Sequence, residues 1–154
     1  MTIKIRNYYY LIAGVLAGLF AVTHAWNGES AVLRAHDVEM LPVNTLTVFT
    51  YVWHIITVEN LAFGIAFVVM SLYPDSSKAR FAAWLIAAIL VLRLAVIVGT
   101  TALLDSSGLA ATLVDSIAII LYVILILLGA KFHSRKRRTS PPGDTDAAVS
   151  NPTL

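Results

Sequence analysis

FAAWLIAAILVLRLAVIVGTTALL, residues 81–104, carries a single charged side chain, Arg93, in an otherwise uncharged and mostly apolar run. A helix needs about 20 such residues to cross the hydrocarbon core of a bilayer. A helix apolar on every face belongs in lipid or at the centre of a large protein. The chain has only 154 residues, so lipid is the simpler home.

Three further runs of the same kind lie at about 8–26, 46–73 and 109–132. All four are read as helices, because an open strand would leave its backbone groups unpaired in hydrocarbon. Apolar residues make up 58% of the chain and charged residues 13%, against roughly 45–50% and 25% in a soluble domain. The expected fold is all-α: a polytopic four-helix transmembrane bundle over residues 1–133. A basic stop-transfer segment and a polar tail rich in Pro, Ser and Asp follow over 134–154. The tail lacks apolar periodicity and is expected to be disordered.

The basic residues set the topology. Lys4 and Arg6 precede the first run, Lys78 and Arg80 separate the second from the third, and Lys131, Arg135, Lys136, Arg137 and Arg138 follow the fourth. The positive-inside rule puts these ends in the cytoplasm. Both termini are then inside, and segment 27–45 and the turn at 105–108 face outward. A bacterial inner membrane is the expected location. One alternative is a cleaved signal peptide ending at "THA" before Trp26, which would leave three crossings. The tetrapeptide "RKRR" directly follows an apolar run, so it reads as stop-transfer and not as a nucleic-acid patch. There is no cysteine, which excludes disulfides, thiolate metal sites and thiol redox chemistry.

Segment 27–45 is the one sizeable polar connection. Ser30 is expected to cap a short helix, "AVLRAHDVEML", lying on the membrane with Val32, Leu33 and Leu41 as its apolar face.

Ionisable side chains inside spans are costly and turn toward one another or toward a wet cavity. His24, His54, Glu59, Arg93 and Asp115 are the candidates. Glu59 and Arg93 fall near the middle of their spans, so they are expected to pair. At a rise of about 1.5 Å per residue, Asp115 lies roughly 9 Å below the outer end of the fourth span and His54 about 12 Å below that of the second. The long Arg93 side chain is expected to reach Asp115 as well. Two carboxylates then share one arginine, leaving one to be protonated, solvated or matched by another cation. Asn60 is expected to hydrogen-bond a neighbouring helix.

Helical spacing gathers Thr47, Thr50, Tyr51, His54 and Thr57 on one arc of the second span, with Glu59 pointing roughly the other way. Thr112, Asp115, Ser116 and Tyr122 form a similar stripe on the fourth. The two stripes are expected to face each other across an outer-leaflet pocket. Gly14 and Gly18, extended by Ala21 and Ala25, form a small-residue ridge suited to close helix packing within the bundle or between copies.

These residues leave three function classes open. The bland one is an accessory or structural subunit within a larger membrane complex or a homo-oligomer. The second is a redox protein, or an enzyme acting on a lipid-soluble substrate. There His24 and His54 would hold haem b, or His24, His54, Asp115 and His36, with Asp37 nearby, a divalent metal. The helical bundle with histidines resembles membrane cytochromes in outline, and no residue role is carried over from them. The third is an oligomeric proton-linked transporter or channel relaying through Glu59, Asp115 and His54. No nucleophile elbow, phosphate loop or HExxH motif is present.

Overall fold

The computed structural model describes residues 4–73 and 76–138. Those residues contain helices and no strand. In order they are α1 (Tyr8–Asn27), a π-helical turn (Gly28–Val32), the short α2 (His36–Glu39), α3 (Val43–Leu72), α4 (Ser76–Leu104), a 3-10 turn (Ser106–Ala110) and α5 (Leu113–Arg138). Four stretches are long and apolar enough to cross a membrane: Tyr8–Val32, Val43–Leu72, Ser77–Leu104 and Leu113–Lys131.

Boundaries differ from expectation in ways that move the polar residues. Helical structure continues past Trp26 through the π-turn to Val32, because Gly28 lets the chain stay against Trp53 (a Cβ there would lie 2.1 Å from the indole Nε1). Glu29 therefore belongs to the end of the first span and not to a loop. Ser30 is no helix cap; its hydroxyl donates to the Trp26 carbonyl at 2.7 Å. The surface helix shrinks to His36–Glu39.

At the connection between α4 and α5, Asp105 caps the 3-10 turn by accepting from the Gly108 amide at 3.2 Å. The Ser107 hydroxyl also donates to it. These bonds, the hydroxyl first, hold the Asp105 carboxyl below the usual carboxylate range. The turn delays the start of α5 to Leu113, four residues later than expected, so Asp115 falls in its first turn. At the far end α5 runs on to Arg138 through the basic stop-transfer segment; the expected disordered tail that follows lies outside the described residues.

α1 packs along α3 and also against α5, and α5 packs against α4. α3 and α4 scarcely touch. The close-packed core sits at the end of the bundle that holds the N-terminus: Tyr10, Ala13 and Ala17 of α1, Phe67 and Met70 of α3, Ala83 and Leu90 of α4, and Tyr122 and Ile126 of α5 are all buried. Alanines and glycines allow the close approach. A Cβ on Gly14 would lie 2.9 Å from the Gly64 carbonyl oxygen, and one on Gly64 would lie 3.1 Å from the Gly14 oxygen and 3.2 Å from the Gly18 amide. The ridge expected at Gly14 and Gly18 thus meets a third glycine, Gly64. The Gly18 Cβ position itself faces open space.

Aromatic rings fill the rest. Phe20 and Phe67 each meet Tyr122 edge-on, with centroids 5.6 and 6.2 Å away. The Tyr122 hydroxyl donates to the Ala13 carbonyl at 3.1 Å, tying α5 to α1.

Asn7 closes this end and was not foreseen. It is 2% exposed and serves three elements. Its side-chain oxygen accepts the Tyr10 amide as N-cap of α1. Its Nδ2 donates to the Gly129 carbonyl of α5 at 2.9 Å. Its own amide, with that of Arg6, donates to the Ser71 carbonyl at the end of α3. A helix start buried in lipid must have its free amides satisfied internally, and asparagine supplies both a donor and an acceptor for this.

Candidate functional site

The half of the bundle away from Asn7 is packed less tightly than the half around it and holds the polar side chains. Local folding first determines where each lies. The Trp53 indole donates to the His24 carbonyl at 3.0 Å, which also accepts the Gly28 amide at the end of α1. The rings of His24 and Trp53 stack in parallel, 4.3 Å apart and 7° from coplanar. That stack fixes α1 against α3 and presents Gly28 to the edge of the indole. The π-turn then brings Glu29 over α3, where its Oε1 lies 3.0 Å from His54 Nε2. Arg34 Nε donates to the Glu29 carbonyl at 2.8 Å and holds the turn from its other side.

One helical turn deeper, Arg93 reaches from α4 across to α3. It forms an ion pair with Glu59 through Nη2 and donates from Nη1 to the Asn60 Oδ1 at 3.2 Å. The side chains of Arg93 and Glu59 are 17% and 31% exposed. This tie spans the seam where α3 and α4 otherwise hardly meet. Its fork geometry explains the choice of residue: guanidinium presents two donors to two neighbouring acceptors, which an ammonium would not do in one plane.

Asp115 does not join this pair. It is exposed in the first turn of α5, and neither ion pair among the described residues includes it. It lies near enough for its charge to act on His24, as do the charges of Arg93 and His54. The four groups therefore share one end of the bundle without forming one contact set.

Most hydroxyls of the two stripes are also committed, Thr57 excepted. Thr47 and Thr50 donate to the carbonyls of Val43 and Leu46, each at 2.8 Å. Thr112 and Ser116 donate to Leu109 and Thr112 at 2.9 and 2.7 Å. Such back-bonding is the local solution for hydroxyls without water. A groove of about 790 Å³ runs along α3 past Thr47, Thr50, Tyr51 and His54 and takes in Glu59 as well. Its wall is α3 alone, so the stripe on α5 does not face it. Tyr122 is instead buried in the core.

Among the described residues no group of three histidine or acidic side chains is arranged to hold a metal. His36 is exposed on α2, apart from the stack and the ion pair. His54 Nε2 is met by Glu29, and one face of His24 is stacked on the indole. Two buried polar atoms stay without a protein partner here, His24 Nε2 and Thr57 Oγ1. Glu29, Trp53 and Gly28 are the residues that sequence reasoning missed. The usable signal was the small-plus-aromatic pairing of Gly28 with Trp53 across the first two spans.

Comparison with protein-family models, with characterised proteins and with solved structures finds no match to this chain.

Proposed function

We propose that this protein is an accessory or structural subunit of a larger membrane system, lying as a multi-pass protein in a bacterial inner membrane with both termini in the cytoplasm. The carrying observation is how its intramembrane polar groups are used. Arg93 is taken up by Glu59 and Asn60, His54 by Glu29, and the Trp53 indole by His24. Thr47 and Thr50 of α3 are taken up by their own helix. Each of these contacts joins elements of the bundle or satisfies a span internally. A proton relay would need Glu59 exchangeable, whereas two donors of one guanidinium hold Glu59 and its neighbour.

The test is isolation of the full chain from its native membranes in a mild non-ionic detergent. Mass by light scattering, visible absorption and elemental analysis are read on one preparation. The expected particle contains other membrane chains in fixed ratio. A particle of this chain alone overturns the accessory role. A visible chromophore or a stoichiometric metal replaces it with the redox reading.

A further inference from the structure

At the end of the bundle opposite the histidines, α4 and α5 part around a cleft of about 460 Å³. Arg80 stands on one side and Lys131 on the other, with Trp84, Leu127 and Ala130 between them. We infer that this cleft binds an anionic phospholipid of the cytoplasmic leaflet, its phosphate held between Arg80 and Lys131 and one acyl chain laid along Trp84 and Leu127.

Several observations converge on that occupant. The two cations come from different helices and flank one opening, as a bridging phosphate requires. Both are exposed, and among the described residues no carboxylate lies within ion-pair distance of either. Arginine matches phosphate with paired donors, and lysine adds a point charge. The wall below is apolar, which a free phosphate would not use and a lipid tail would. Trp84 follows Arg80 by one helical turn and is 56% exposed. Its indole is thus set at the depth where tryptophan favours the boundary between headgroups and chains. Basic pockets between spans on the cytoplasmic side are a recurrent way of holding anionic headgroups.

The experiment reconstitutes the full chain in phosphatidylcholine vesicles and reads quenching of tryptophan fluorescence by a minor fraction of brominated lipid. Brominated phosphatidylglycerol is compared with brominated phosphatidylcholine, and Trp84→Phe identifies the part of the signal due to Trp84. The expected result is excess quenching of Trp84 by the anionic lipid. At about fivefold for each basic side chain near the surface, that preference should fall about fivefold in Arg80→Gln and about thirtyfold in Arg80→Gln/Lys131→Gln. It should survive replacement of Arg135, Lys136, Arg137 and Arg138 by glutamine.

Equal quenching by the two lipids overturns the proposal. So does a preference that persists in the cleft variant and disappears in the tail variant, which assigns it to the basic run. Loss of the excess on adding millimolar inorganic phosphate makes the occupant free phosphate and overturns the lipid assignment. Circular dichroism of each variant, with the single Arg80→Gln beside the double, separates loss of binding from loss of fold.

Discussion

Replacing Arg93 with methionine removes a guanidinium while keeping most of its apolar stem. The variant leaves Glu59 in mid-span with no cation and Asn60 without the donor it now has. Removing one member of a buried pair costs about 3–5 kcal/mol, and a lone charge at mid-span about 2.5–3.5 kcal/mol on insertion scales. Glu59 is 31% exposed, so screening places the expected loss at the lower end, about 2–3 kcal/mol. Adding Glu59→Gln to this background removes the stranded carboxylate. The double variant should therefore be more stable than Arg93→Met alone, by about 1–2 kcal/mol.

The assay is reversible unfolding in mixed micelles of mild detergent and SDS, followed by tryptophan fluorescence and far-UV circular dichroism. Four proteins complete the cycle: the parent, Arg93→Met, Glu59→Gln and both together. If the two substitutions add without coupling, or if the double variant is the least stable of the four, Arg93 and Glu59 do not act as a charge pair and the reasoning fails.

Other contacts give sharper contrasts. Gly14→Ala forces a methyl to within 2.7 Å of Val68 Cγ2 and 2.9 Å of the Gly64 oxygen and should lose about 1–3 kcal/mol. Gly18→Ala meets nothing within 4 Å and should be neutral or slightly stabilising in the same unfolding assay. Asn7→Ala should lose about 2 kcal/mol, roughly half from the cap and half from the bond to Gly129. Asp105 has its carboxyl pKa lowered in the folded chain. Its contribution is therefore present above the ordinary carboxylate range and is lost as pH falls through the lowered value. Amide exchange at Gly108, corrected for intrinsic pH dependence, should rise on that acid limb, and Asp105→Asn should remove the effect. The chain has no cysteine, so single-cysteine variants give clean topology: an impermeant maleimide applied to intact cells should label Ser107→Cys and spare Ser77→Cys.

The four spans were legible because lipid imposes only length and apolarity, and both can be counted along the chain. Depth was legible for the same reason: rise per residue places Glu59 and Arg93 at one level before any coordinates exist. Rotation about each helix axis was not. It decides that Asn60 takes the second Arg93 donor, that Gly64 faces Gly14, and that the hydroxyls of α3 and α5 do not share a cavity. The near-uniform hydrophobicity of these helices gives little periodic signal from which to read such angles. The Glu29–His54 contact was hidden differently. "NGES" reads as a break after Trp26, yet Gly28 continues the helical path because Trp53 occupies the space its side chain would need. The role of Asn7 was not legible, since nothing near it in sequence reveals a carbonyl of Gly129 waiting to be met.

That last bond bears on the order of events during synthesis. Asn7 lies 122 residues ahead of its acceptor on α5. The Tyr122 hydroxyl likewise waits to reach Ala13. Until α5 has been synthesised, the start of α1 lacks two of the bonds that hold it. A ribosome stalled before Tyr122 would therefore leave a nascent product that is inserted but unsealed, exposing the same end that the finished protein buries most deeply.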